Sequence, residues 1–255
     1  MTMSTNPKVA VISGAANGIG LAALRKFSGN GFRCVGIDSD QGAIERLSRD
    51  QSLGEKDVTW ICADLMQDDL QLSDLIPVDA EQPDITLVNV VGGSRAASAG
   101  LMDTQWSDFE QTFILNIKPA YALAKICLPS MRAARTGRIV NVGSICGRAA
   151  LNMIAIDYSS AKAALIGFSR KLAVEVAADN ILVNTICPGI IATDRIKARW
   201  SKRSVEENNR ILMTIPLGKL GTAEEVANGI YFLGSTENTF TTGAILDING
   251  GMFLP

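Results

Sequence analysis

Seven short apolar runs, rich in β-branched residues, alternate with helical stretches along almost the whole chain. Lys8–Ser13 (KVAVIS), Phe32–Asp38 (FRCVGID), Val58–Ala63, Ile85–Val91, Gly137–Gly143 (GRIVNVG), Ile181–Cys187 (ILVNTIC) and Ala244–Ile248 are the predicted strands. Between them fall a helix from about Gly18, a charged helix over Asp40–Arg49, and longer helices over Trp106–Ile117, Ala120–Ala134, Tyr158–Ala178 and Ala223–Leu233. This rhythm predicts an α/β fold: a single-domain, Rossmann-type doubly wound parallel sheet with helices on both faces. Right-handed crossovers then put any ligand beyond the strand C-termini. No linker or repeat divides the 255 residues, so one domain over 1–255 is expected. The stretch Gly189–Gly221 (positions 189–221) is long and charged; it is either a solvated helical excursion or a substrate lid, and its place just after a strand favours the lid.

Composition removes several chemistries. The chain has no histidine, which excludes an imidazole base, a Ser-His-Asp triad and an ordinary zinc site, so no metal is expected. Proton transfer must fall to Tyr, Lys, Cys or a carboxylate. Lys+Arg 24 against Asp+Glu 26 gives a net charge of -2, without the basic footprint of a nucleic-acid binder. No uncharged run approaches the ~20 residues that cross a bilayer, and no apolar stretch precedes the first strand to act as a secretory signal. Cys34, Cys62, Cys127, Cys146 and Cys187 are widely spaced with no CxxC pair, which fits buried reduced thiols in a cytoplasmic protein.

After the first strand comes Ser13-Gly14-Ala15-Ala16-Asn17-Gly18-Ile19-Gly20, running into a helix. Gly14 would make the turn, Gly18 would let backbone approach a pyrophosphate, and Gly20 would let the helix pack closely. Free N–H groups and the helix dipole favour phosphate there, although a glycine-rich βα turn can also be only a turn. The second strand ends in Asp38, placed to accept hydrogen bonds from adenosine ribose hydroxyls. A carboxylate repels a 2′-phosphate, and Asn17 and Ser39 are not basic, so the expected cofactor is NAD. Asp64, after the third strand, either meets the adenine amino group or is simply solvated.

Tyr158-Ser-Ser-Ala-Lys162 puts a phenol and an ammonium four residues apart on one helical face. A phenol near pKa ~10 is a poor base at neutral pH; bringing it into that range takes roughly 4 kcal/mol of preferential phenolate stabilisation. A neighbouring ammonium and an oxidised nicotinamide are suitable cations for the task. Alone, the pair is equally compatible with a solvent face.

Taken together, Gly14/Gly18/Gly20, Asp64, Asn89, Asn116, Ser144, Tyr158, Lys162 and Pro188-Gly189 with Thr193 resemble the short-chain dehydrogenase/reductase family, from Lys8 to Gly251. The resemblance implies Tyr158 as general acid/base and Ser144 as the group orienting the substrate oxygen. It implies that Lys162 lowers the phenol pKa and holds the nicotinamide ribose, and that the Asn116 backbone holds a relay water. Asn89 would support the cofactor, and Pro188, Gly189, Ile190, Ile191 and Thr193 would line the nicotinamide; Asn17, Ile19 and Leu65 complete the implied cofactor contacts. Two departures stand out. Asn89-Val90-Val91-Gly92-Gly93 replaces the common Asn-Asn-Ala-Gly, and Pro119 is expected to bend or end the helix after Asn116.

The substrate wall is expected from Gly93–Met102, Ile145–Ile156 and Ile190–Trp200, where Arg95, Arg148 and Arg195 are either surface residues or partners for an anionic substrate group. The favoured activity is NAD-dependent interconversion of a secondary alcohol (alcohol, diol or hydroxyacid) and its ketone. Alternatives are a 3-oxoacyl-[acyl-carrier-protein] reductase-like enzyme, against whose usual NADP dependence Asp38 argues, and a catalytically silent dinucleotide-binding sensor. The resemblance also implies a homotetramer acting on a small-molecule substrate, with no nucleic-acid or membrane partner. In it the long helices pack between subunits, and the apolar C-terminal tail covers either an interface or its own core.

Overall fold

The computed structural model describes residues 7–50, 53, 58–67, 83–94, 100–151 and 154–255. Its strands are β1 (Lys8–Ser13), β2 (Arg33–Asp38), β3 (Val58–Cys62), β4 (Asp84–Asn89), β5 (Gly137–Val142), β6 (Ile181–Pro188) and β7 (Ile245–Ile248). They form one sheet in the order β3-β2-β1-β4-β5-β6-β7, every neighbouring pair parallel. The strand order reverses between β1 and β4, so their C-terminal ends open a crevice at that switch point.

The two-residue period of the strands divides the core. Val9, Val11, Ile85, Leu87, Ile139, Ile181 and Val183 face one side, beneath α3 (Trp106–Ala134) and α4 (Ile156–Val176). Ala10, Ile12, Val88, Val140, Val142 and Ile186 face the other, beneath α1 (Gly18–Ser28) and α7 (Ala223–Gly234). A short helix, α2 (Gln41–Leu47), is capped by Asp40, whose carboxylate accepts from the Ala43 N–H. At the N-terminal edge of the sheet, far along the strands from the crevice, Arg138 on β5 donates through Nη1 to both oxygens of buried Asp84 on β4, at 3.0 and 3.1 Å.

Pro119 does not end its helix. The expected break between Ile117 and Ala120 is absent, and α3 runs unbroken through both Pro119 and Pro129. Proline removes one N–H, but Pro119 and Ala120 are buried in the tertiary packing of α3, which offsets the lost bond.

The stretch after β6 contains two helices, α5 (Asp194–Trp200) and α6 (Val205–Met213), the second opened by a capping box between Ser204 and Glu207. Its two ends meet: Ile191 and Gly221 form a parallel bridge, the Ala192 N–H donates to the Gly221 carbonyl at 2.8 Å, and the Gly221 N–H donates to the Ile190 carbonyl at 3.0 Å. The excursion is thus tied at its base and rests over the strand ends. Among the described residues no helix is long and apolar enough to cross a membrane. Of the five cysteines, only Cys62 is exposed.

Candidate active site

A cleft of about 1520 Å³ opens along the C-terminal ends of β1, β4, β5 and β6. Single-ligand pockets run to ~300–1,000 Å³, so this one has room for a dinucleotide and a substrate together.

One end is built by the turn after β1. Gly18 has φ +52, and a Cβ on it would come 3.0 Å from the Thr193 methyl, so the loop after β6 closes directly onto the glycine loop. Gly20 has no space for a side chain: a Cβ there would overlap the Gly14 carbonyl oxygen. Asn17 is the N-cap of α1 yet makes no side-chain cap bond, and the first turn holds no acidic residue. The helix therefore presents backbone donors and a positive dipole end to the cleft. Asp38 lines the same end; its Oδ2 accepts from the Ala16 N–H at 2.9 Å and its Oδ1 from the Asp40 N–H at 3.1 Å. These two bonds fix the carboxylate and leave lone pairs on both oxygens. The glycine turn, uncapped helix end and fixed carboxylate fit a nicotinamide dinucleotide, with phosphates at Gly14–Gly18 and the adenosine ribose at Asp38.

The middle of the cleft gathers the proposed chemistry. Ser144 ends the strand-to-turn junction after β5, caps a 3₁₀ turn over Ile145–Gly147 by accepting from the Cys146 N–H, and sets its hydroxyl near enough to the Tyr158 phenol to favour the phenolate. Tyr158 lies in the first turn of α4. One turn on, Lys162 is 2% exposed, donates to the Val142 carbonyl at 2.8 Å, and sits 5.8 Å from the centre of the Tyr158 ring. Pro188, Gly189, Ile190, Ile191 and Thr193 line the adjoining wall, as do Asn17 and Ile19 at the glycine end.

The lowering of the phenol pKa expected from Lys162 is not what the protein alone provides. Burial dominates and pushes Tyr158 up to about 12; the Cys146 thiol adds to the rise, while the neighbouring Ser144 hydroxyl and Arg195 offset part of it. The same burial pulls Lys162 down to about 8. Desolvation penalises both charged forms in the resting site, the phenolate as well as the ammonium. Cys187 is raised by burial to about 11, so it stands beside the site as a neutral thiol.

Asn116 acts through its side chain, in addition to whatever its backbone does. It is 1% exposed; its Oδ1 accepts from the Gly93 N–H at 3.2 Å, while its Nδ2 donates to the Gly93 and Thr112 carbonyls at 2.8 and 2.7 Å. Gly92 lies between this amide and Lys162: a Cβ there would be 2.5 Å from Asn116 Oδ1 and 2.8 Å from Lys162 Nζ. Thr112, whose carbonyl takes the second amide bond, donates its hydroxyl at 2.7 Å to the fully buried carboxylate of Asp157, the residue before Tyr158.

Other expected residues stand apart from the cleft. Asp64 is exposed and turned back on its own loop, accepting from the Met66 N–H, and Leu65 is buried in the core on the α3 side. Both follow β3, the edge strand, which places them at the sheet's margin; neither lines the cleft. Asn89 is buried and does not line the cleft; its Nδ2 donates to Asn141 at 2.8 Å and its Oδ1 has no hydrogen-bond partner among the described residues. Arg148 is taken up by an ion pair with Asp247 and by the Phe253 ring, so it is structural rather than a free substrate ligand. That contact draws the C-terminal tail inward, and Met252 becomes part of the cleft wall. Arg195 does reach the site, its guanidinium lying against Gly93. Arg95 and Met153 fall outside the described residues.

Sequence reasoning missed Lys202, Arg203 and Arg210 and did not single out Arg199 within the expected Ile190–Trp200 wall; all four line the cleft from the excursion after β6. The four-residue spacing of Arg195, Arg199 and Arg203 was the available signal.

Comparison with known proteins shows the family and the fold. A family profile described as Enoyl-(Acyl carrier protein) reductase matches residues 14–253. The chain is similar to the 3-oxoacyl-[acyl-carrier-protein] reductase FabG of Haemophilus influenzae, 35% identical over 249 residues, covering 97% of this chain and 98% of that protein. It is 34% identical over 253 residues to FabG of Escherichia coli, covering 99% and 100%. Among solved structures, a 3-oxoacyl-[acyl-carrier protein] reductase from Brucella melitensis with bound NAD superposes with a TM-score of 0.85 at 28% identity, covering 99% of this chain and 93% of that one. ElxO with NADP bound matches with a TM-score of 0.85 at 30% identity, covering 96% and 98%.

Proposed function

The chain belongs to the short-chain dehydrogenase/reductase family, and from that premise we propose that it reduces the 3-oxo group of an acyl thioester, with a nicotinamide dinucleotide as hydride donor. The observation that carries the reading is the Ser144 hydroxyl set beside the Tyr158 phenol on the cleft wall, over a buried Lys162. The similarity to 3-oxoacyl-[acyl-carrier-protein] reductases over nearly the full length supports the thioester substrate.

When bound, the dinucleotide supplies the hydride that the carbonyl carbon accepts. Ser144 donates a hydrogen bond to the carbonyl oxygen and fixes it against Tyr158. As that oxygen gains negative charge, the Tyr158 hydroxyl donates its proton to it, which leaves the alcohol and a phenolate. A phenol held at about 12 keeps its proton at neutral pH and still gives it up to a more basic alkoxide, which suits reduction better than oxidation. Lys162, itself near 8, is placed to share the positive charge that the phenolate then needs. Asn116 holds Gly93 and so fixes the turn that packs on Lys162.

Asp38 supports NAD over NADP, since a fixed carboxylate at the ribose repels a 2′-phosphate. It also favours a second reading, NAD-linked oxidation of a secondary alcohol. A cytoplasmic homotetramer is part of the proposal: α3 carries exposed Trp106, Phe113, Ile114 and Tyr121, a row that a second copy would cover.

The test is consumption of NADH or NADPH by the purified protein with 3-oxoacyl thioesters, set beside NAD reduction with secondary alcohols, diols and hydroxyacids. Oxidation of the reduced cofactor with the thioester is expected. Turnover of the alcohols with none of any 3-oxoacyl thioester would replace this reading by the second.

A further inference from the structure

Six cationic side chains and only two carboxylates line the cleft of a chain whose net charge is -2. One of the six, Lys162, belongs to the chemistry already described. The other five, Arg195, Arg199, Lys202, Arg203 and Arg210, all come from α5, α6 and the turn joining them. Outside the cleft four arginines have carboxylate partners: Arg25 with Asp50, Arg132 with Asp179, Arg138 with Asp84, Arg148 with Asp247. The five cleft cations have no ion pair with any described residue. Of the two carboxylates, Asp38 is at the opposite, adenosine end, and Asp194 lies 3.6 Å from Lys197.

Arg195, Arg199 and Arg203 recur every fourth residue along one side of α5 and the turn after it, and Arg210 closes the row from α6. Crowding like charges on one wall costs energy, and a cleft lined by one sign draws in ligands of the other. The row also has a direction. Arg195 leans over Gly93 beside Tyr158, and it alone of the five acts electrostatically on Tyr158 and Lys162. The remaining cations lie farther out, so they suit an anionic group many bonds from the reacting carbonyl. A small keto acid, whose carboxylate adjoins the ketone, would meet Arg195 only.

We propose that the α5–α6 wall is an anion site, with Arg199, Arg203 and Arg210 as its ligands, that takes the phosphate of the pantetheine arm on which the acyl thioester is carried. The inference rests on the thioester reading above for its substrate, and on the unpaired cationic row for its chemistry. Arginine forks match phosphate oxygens in a bidentate manner, which explains a row dominated by Arg over Lys. Coenzyme A and an acyl carrier protein both present this phosphate.

The test titrates free coenzyme A into the NADH-saturated protein, parent and R199A/R203A/R210A, and measures KM for 3-oxoacyl-coenzyme A, a 3-oxoacyl carrier protein and the uncharged 3-oxoacyl N-acetylcysteamine thioester. All three arginines are exposed, so folding of the variant is not at stake. Coenzyme A should bind at least tenfold more weakly to the variant, and KM for both phosphate-bearing substrates should rise by a similar factor. The neutral thioester and NADH affinity should move less than twofold, and salt should weaken coenzyme A binding to the parent far more than to the variant. A rise with coenzyme A alone overturns the assignment to the arm's phosphate, because the carrier protein presents that same phosphate and the cations would then read the nucleotide end of coenzyme A. A rise with the carrier protein alone overturns the proposal, because the cations would then read a protein surface. Equal coenzyme A binding by parent and variant, or weakened NADH binding in the variant, overturns it too. If the parent reduces no 3-oxoacyl thioester yet binds coenzyme A through these arginines, the reaction assignment fails and the anion site stands.

Discussion

Lys162 lies 5.8 Å from the centre of the Tyr158 ring and spends a hydrogen bond on the Val142 carbonyl, so the pair shares one buried wall without a direct bond between the two polar ends. Burial drives the phenol up to about 12 and the ammonium down to about 8. In the reductive direction Tyr158 must be protonated, which holds throughout the neutral range; Lys162 must be charged, which ceases as the pH rises through about 8. The expected profile of kcat/KM for reduction is a plateau below about pH 8 and a fall above it, measured with saturating NADH. Tyr158→Phe should lower kcat by at least roughly 10²–10⁴-fold while NADH still binds, as read by fluorescence titration.

The same buried lysine weighs on stability. Its folded value lies below the ordinary 10.5, so the folded state carries a desolvated ammonium at every pH under about 8. Lys162→Met should therefore abolish turnover yet raise stability at pH 7 by ~1–3 kcal/mol. That gain should shrink as the pH climbs from about 8 toward 10.5, where the unfolded lysine also loses its proton. Denaturant melts at pH 7 and pH 10 check the sign.

Asp38 holds two backbone N–H groups and lines the glycine-turn end of the cleft, where the proposed function seats the adenosine. Asp38→Asn keeps an acceptor for the Ala16 N–H and removes the charge, so the glycine loop should survive. The ratio of kcat/KM for NADH over NADPH should fall by about tenfold or more, the ~1.4 kcal/mol expected when a like charge near the 2′-phosphate is removed. An unchanged ratio would locate cofactor choice elsewhere.

At the far end of the sheet the Arg138–Asp84 pair is buried and doubly bonded. Asp84→Ala leaves a buried guanidinium uncompensated and should cost about 3–5 kcal/mol, seen as a lower denaturant midpoint. Because the pair lies at the strand ends remote from the cleft, kcat at a temperature where the variant is folded should match the parent.

The strands and the glycine loop were legible because they depend on local pattern. Lys8–Ser13 reads as a strand by its unbroken apolar run, and Gly18 and Gly20 are required by a φ and a contact set within one turn. Ser144, Tyr158 and Lys162 fall on neighbouring elements whose ends the topology brings together. What the sequence concealed depends on direction and depth. Nothing local says that Asp64 folds back on its own turn at the sheet edge, or that Arg148 is claimed by Asp247 from 99 residues away. Helical phase in the Asp194–Met213 stretch decides that five cations face one cleft, and in α6 that phase follows from the burial of Ile211. The phenol's upward shift follows from burial, which residue identities do not report.

Asn116 offers the sharpest separation of backbone from side-chain roles. A residue that serves only by its main-chain carbonyl tolerates any helix-compatible side chain. Here the amide accepts from the Gly93 N–H and donates to the Gly93 carbonyl, and Gly92 is packed between the amide and Lys162. Asn116→Asp preserves shape and the acceptor but turns both donations, to Gly93 and Thr112, into carboxylate–carbonyl repulsions inside a buried pocket. Unpaired buried polar groups cost about 1–3 kcal/mol each, enough to release the turn that packs on Lys162. The expected outcome is a loss of roughly 10–100-fold in kcat with a displaced alkaline limb of the pH profile, since Lys162 would gain water as Gly92 moves. A variant with the parental kcat and limb would return Asn116 to a purely main-chain role.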